Sequence, residues 1–132
     1  KEIGWVPVRI EGGEVGADWF GATPREFTTF EWHEDTFAIP AGATRILAGD
    51  TCANQAYVVD GRHLGMQCNV EITAEMIDTW CRSGAAEIEA QHGTSPAVQD
   101  ARTIKRLAAN HLAPLSAIAD RLYERWSSRL AR

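Results

Sequence analysis

No apolar run in this 132-residue chain approaches the ~20 residues that a membrane-spanning helix requires. Basic charge is not in excess either. Thirteen Lys and Arg against 18 Asp and Glu leave a net charge of −5, which argues against a nucleic-acid binder. No glycine-rich loop joins a strand to a helix, so a nucleotide-cradling fingerprint is missing as well. Cysteine is scarce: Cys52, Cys68 and Cys81 cannot all pair with one another, and none belongs to a C-x-x-C. That usage fits a reducing, cytoplasmic setting in which the thiols are buried and structural. His33, His63, His92 and His111 have no mutual i, i+4 spacing and no thiolate close by in sequence, so no metal is expected, and no cofactor. Repeats and low-complexity segments are absent.

The residues that are present suit one soluble globular unit: 45% hydrophobic and 23% charged. Lys1-Glu2 leads straight into strand-like sequence with no signal-peptide pattern and no initiator Met. We therefore expect either a single domain or the C-terminal part of one, with residues 1–72 mostly strands and 73–132 mostly helices.

Val6, Val8 and Ile10 alternate as a strand, and Pro7, lacking a donor, suggests an edge or strand-end position. The Gly-rich, acidic stretch EGGEVGADWFGATP reads as a loop with one helical turn at most. EFTTFEWHEDTF reads as one strand or two, IPAGA as a turn and TRILAG as a third strand. QAYVV and HLGMQC flank Asp60-Gly61, the pair that favours a type I′ hairpin.

The period changes at Thr73, a good N-cap, with Ile72 and Ile77 placed as a hydrophobic staple. Gly84 should end that helix, and AAEIEAQHG suggests a second short one. Ser95-Pro96 reads as the start of a third, with Val98, Ala101, Ile104 and Leu112 on its apolar face and Pro114 as its break or kink. Leu115, Ile118, Leu122, Trp126 and Leu130 mark the buried face of a last helix. Arg121, Arg125 and Arg129 form an i+4 stripe along it, either a phosphate-binding row or, more simply, a solvated face at the negative helix end. Strands followed by helices read as α+β, or as the second half of a larger α/β domain.

In the stretch GMQCNVE, residues i and i+2 of an extended chain share a face. Gln67, Asn69 and Glu71 therefore line one side, and Met66, Cys68 and Val70 line the core side. Strand ends that gather polar groups are where open α/β sheets place their chemistry.

With WHEDTF, IPAGA, ANQAY and GMQCNVE in this order, the sequence resembles the class I glutamine amidotransferases. It looks closest to stand-alone members related to the glutaminase domain of GMP synthase. The likeness runs from EIGWVPV to about IDTW. It implies an α/β fold of which this chain is the later half, with mixed or antiparallel strands followed by C-terminal helices. It implies a Cys-His-Glu triad whose cysteine sits in a G-x-C-x-G turn and whose other members sit in G-x-Q-x-H-x-E. Here that second segment is Gly65, Gln67, Asn69 and Glu71, so Asn69 stands at the triad histidine position. No G-x-C-x-G occurs in the chain, which places the nucleophile in a missing N-terminal part. The resemblance also points to Gln55, Ala56 and Tyr57, with His33, on the substrate side. It implies glutamine as substrate and a synthetase or acceptor enzyme as partner, with no nucleic acid and no membrane. A carboxamide does not shuttle protons near neutral pH, so the chain alone is expected to be inactive. The alternative is a non-catalytic, degenerate glutaminase-like module that serves as an interaction or regulatory surface.

Overall fold

The computed structural model describes residues 1–130. The strands are β1 (Glu2–Ile10), β2 (Glu26–His33), β3 (Ala43–Gly49), β4 (Ala56–Val59) and β5 (His63–Met66). The helices are α1 (Gly13–Phe20), α2 (Ala74–Ser83), α3 (Ala85–Gln91) and α4 (Ala101–Leu130). The strands form one sheet in the order β2-β1-β3-β4-β5, with every neighbouring pair antiparallel. The sheet curls. The chain leaving β5 returns to the free edge of β2, where the Asn69 N–H donates to the Phe30 carbonyl at 2.8 Å.

β1 is interior to this sheet, which corrects the expectation of an edge for Pro7. Its odd-numbered residues turn their backbone groups away from β2. Ile3 pairs with the segment Ala97–Gln99 through two bonds of 2.9 Å. Trp5 is served by the Gln99 side chain, which accepts from its N–H at 2.9 Å and donates to its carbonyl at 3.0 Å. The ladder to β3 begins at Val8. Pro7 falls in the gap between these partners, where no acceptor waits for the donor it lacks. Gly4 makes the Gln99 contact possible, because a Cβ there would lie 2.3 Å from Gln99 Oε1.

The hairpin reading holds: Asp60 and Gly61 both have positive φ, +51° and +62°, and Arg62 N–H closes the turn on the Val59 carbonyl at 3.0 Å. Thr73 caps α2 by accepting from the Met76 N–H at 3.2 Å, and Ile72 and Ile77 are both buried beside it. Gly84 follows the last residue of α2.

Three readings of local signals are corrected. The glycine-rich stretch forms the eight-residue helix α1 rather than a loop. Its Gly16 is there for packing, since a Cβ would meet the Glu11 carbonyl oxygen at 1.8 Å. The helix expected at Ser95-Pro96 starts instead at Ala101, capped by Asp100, which accepts from the Thr103 N–H at 2.9 Å. Val98 lies outside it and bridges β1 at Ile3. Pro114 does not break α4, which runs 30 residues through it. Pro114 and Asn110 are exposed, so the one carbonyl that the ring deprives of a donor belongs to a residue open to solvent.

Helix α4 packs across α1, α2, β1 and β2. Ile104, Leu115, Ile118 and Leu122 are its buried face, and the Trp5 indole N–H donates to the Ile104 carbonyl at 2.9 Å. Past Leu122 the expectation fails. Trp126 and Leu130 are 41% and 53% exposed. The arginine stripe lies at the surface but has partners of its own. Arg121 donates to Thr23 at 3.2 Å, and Arg125 and Arg129 both pair with Asp18 of α1. Arg129 also stacks over the Trp19 ring at 5.5 Å.

Candidate functional site

The alternation read in GMQCNVE continues after β5 has ended at Met66. Cys68, Val70 and Ile72 are buried, while Asn69 and Glu71 face outward together. The Asn69 amide donates to Glu71 Oε1 at 3.3 Å. The backbone holds this pair: Asn69 N–H is tied to β2, and its carbonyl accepts from Ile72 N–H at 3.3 Å. Asn69 Oδ1 is buried without a hydrogen-bond partner among the described residues. Glu71 is exposed, and burial, then the Glu71 charge, push the Tyr123 phenol above its ordinary value. Gln67 bonds neither Asn69 nor Glu71; it donates to the Asn54 carbonyl at 2.6 Å and to Cys52 Sγ at 2.9 Å.

The other residues expected on the substrate side lie as follows. Gln55 and Ala56 are fully buried inside the sheet. The Gln55 backbone is consumed by its neighbours, N–H to the Leu47 carbonyl and carbonyl from the Gln67 N–H, each at 3.1 Å. Only Tyr57 of this trio reaches the surface, packed edge-on against Phe37 at 5.0 Å. His33, read as lying near the site or in a surface turn, ends β2 and points inward.

There it meets residues that sequence reasoning passed over. In the β1–β2 ladder Glu2 lies directly opposite His33, and Glu31 lies two residues back on the same face. His33 Nε2 is 2.9 Å from Glu2 Oε2 and 3.5 Å from Glu31 Oε2. The Gln55 amide donates to that same Glu2 oxygen at 2.7 Å. Cys52, from the loop after β3, approaches Thr36 Oγ1 at 3.2 Å. It is partly exposed, unlike Cys68 and Cys81, so the expectation of three buried thiols is corrected for this one. The Glu31 carboxyl is pushed up to about 9 by burial first, then by the Glu2 and Cys52 charges. The Glu2 carboxylate beside it holds His33 above its ordinary value. The signal was available: Glu31-x-His33 has the same spacing as Asn69-x-Glu71. Only the pairing with Glu2 needed the fold. Sequence spacing gave no reason to expect a metal, yet donor atoms of Glu2, His33 and Cys52 lie within 4.8 Å of one another.

Several concavities lie elsewhere. One, of about 580 Å³, is bordered by the β4–β5 turn and the end of α4, including Arg62 and Arg129. Another, of about 420 Å³, is bordered by Trp32, Trp80 and Glu87. Neither is lined by Asn69 or Glu71; Glu71 is exposed and Asn69 half-buried.

No family model matches the chain, and no curated protein matches it. Solved structures do. A glutamine amidotransferase from Methylobacillus flagellatus is 38% identical over 96% of this chain and 52% of its own, with a TM-score of 0.89. A glutamine amidotransferase from Thermotoga maritima is 28% identical over 96% of this chain and 50% of its own, with a TM-score of 0.79. The chain spans about half the length of these structures. It has their α/β fold, a curled antiparallel sheet closed by a C-terminal helix.

Proposed function

We propose that the chain is the C-terminal part of a class I glutamine amidotransferase domain, which hydrolyses glutamine and delivers the ammonia to an acceptor. The observation that carries this reading is the Asn69–Glu71 pair. It projects from one face just past a strand end, in a fold shared with a glutamine amidotransferase at 38% identity. On this reading Asn69 occupies the seat of a histidine, and Glu71 is the carboxylate that would orient it. A thiolate from an upstream half attacks the substrate amide. An imidazole at position 69 keeps that thiol ionised and protonates the departing ammonia. The open surface around Glu71 is then the half of a cleft that the upstream segment completes. Tyr57 and His33 lie on the substrate side, glutamine is the substrate, and a synthetase receives the ammonia.

As it stands the chain should be inactive. Asn69 holds geometry through its bond to Glu71 but titrates nothing, and general acid–base help is worth about 10²–10⁴-fold in rate. Asn69 is equally the observation that favours a second reading, a degenerate module that keeps the fold as an interaction surface.

The test is restoration. The chain is joined to an upstream half bearing G-x-C-x-G, with and without Asn69→His, and ammonia release from glutamine is measured. Activity that appears with the upstream half and rises about 10²–10⁴-fold on Asn69→His supports the proposal. Ammonia release by the 132-residue chain alone, or none from the doubly restored protein, overturns it.

A further inference from the structure

We propose that Glu2, His33 and Cys52 form a binding site for a single zinc ion, which ties β1 and β2 to the loop that follows β3. It shares His33 with the substrate side proposed above, but none of its ligands is Asn69 or Glu71 and its argument does not rest on that function.

The first argument is the direction of the His33 ring. Its Nδ1 lies 2.9 Å from the Asp35 backbone carbonyl, which can only accept, so Nδ1 carries the hydrogen. Metal-bound histidines are commonly oriented in this way, with the other ring nitrogen left to the ion. Nε2 then faces two carboxylate oxygens, Glu2 Oε2 at 2.9 Å and Glu31 Oε2 at 3.5 Å. These three atoms hold together only with a positive charge among them, a proton or, in its place, a metal ion on Nε2.

The second argument is a count of donors against acceptors. Glu2 and Glu31 are 1% and 0% exposed. Glu2 Oε1, both Glu31 oxygens and Gln55 Oε1 have no hydrogen-bond partner among the described residues. No lysine or arginine is paired with either carboxylate there; Lys1 goes to Glu34 and Glu87 instead. Buried oxygens this short of donors are what a cation satisfies.

The third argument is the donor set. One thiolate, one imidazole and one carboxylate suit zinc, whereas magnesium and calcium demand oxygen alone. Bond lengths of about 2.0–2.3 Å put tetrahedral donors roughly 3.3–3.7 Å apart. The three donor atoms already lie within 4.8 Å, so small side-chain movements close the site. Gln67 Nε2 lies 2.9 Å from Cys52 Sγ and holds it toward the cluster, and the partial exposure of Cys52 gives an ion its way in.

Cobalt is the spectroscopic probe and zinc the competitor, both added to the reduced, metal-free 132-residue chain. The expected result is one cobalt per chain, with a sulfur-to-cobalt charge-transfer band and the visible bands of a tetrahedral centre, bleached by one equivalent of zinc. Cys52→Ser should abolish the charge-transfer band, and Cys81→Ser should leave it. His33→Ala should weaken zinc binding by more than the ~10–100-fold that loss of an outer hydrogen-bond partner costs. As a check that needs no variant, zinc should slow alkylation of Cys52, followed by peptide mapping. The proposal is overturned if the unaltered chain shows no charge-transfer band, if the band survives Cys52→Ser, or if zinc leaves Cys52 alkylation unchanged. Protons would then balance the charge of the cluster.

Discussion

Replacing Gln99 with Met should destabilise the chain by about 2–4 kcal/mol, although Gln99 is neither hydrophobic core nor part of any strand. The magnitude follows from what the side chain replaces. Gln99 bonds both backbone groups of Trp5, at 2.9 and 3.0 Å, and so stands in for one residue of a missing strand. Trp5 is only 4% exposed. Methionine keeps the length and volume, so packing is nearly conserved, and it offers the Trp5 N–H and carbonyl nothing to bond. Each buried group left unsatisfied costs about 1–3 kcal/mol, or about 2–6 for the pair. Gln99 is itself half-buried, so water recovers part of this, which sets the lower figure. Urea unfolding monitored by tryptophan fluorescence gives the stability. Amide exchange at Trp5 gives the local effect and should lose protection ahead of Ile3, whose partners are backbone. Gly4→Ala attacks the same contact from the other strand face and adds strain at φ +118°. The reasoning is refuted if Gln99→Met lies within about 0.5 kcal/mol of the parent, the range of an uninvolved surface site.

Thr73→Ala removes the α2 cap and should cost about 1 kcal/mol, read from the same unfolding curves. Leu115→Ala empties a fully buried site under the middle of α4 and should cost about 2–5 kcal/mol, in a transition that remains cooperative. Asp18 is held below the usual carboxylate range by its bond to Arg125. Its contribution is therefore present above its unfolded pKa and lost as pH falls through the folded value. Asp18→Asn should accordingly weaken the α1–α4 contact at neutral pH and flatten the acid limb of stability against pH. An unchanged acid limb in that variant would remove Asp18 from the account.

Local chemistry was legible where it needed only near neighbours. The Asp60-Gly61 turn, the Thr73 cap and the alternation that sets Asn69 and Glu71 on one face each depend on residues a few positions apart. Their geometry follows from backbone sterics and strand periodicity. The family resemblance likewise rested on short segments in order, and the fold agrees with it. Other features depended on distant partners. Glycine at position 16 signals a loop in sequence, but it exists because Glu11 passes at contact distance. The arginine stripe reads as solvated until Asp18 is set against it, 107 residues away. Ser95-Pro96 is a plausible helix start that loses to pairing with β1, because buried backbone groups at Ile3 must be satisfied.

The sequence by itself settled the Asp60-Gly61 turn, the Thr73 cap and the Asn69–Glu71 alternation, since those choices are made within a few bonds of each residue. Only the folded chain could set Glu2 against His33 and bring Cys52 to both. That meeting is decided by the strand register and the curl of the sheet, which long-range burial alone determines.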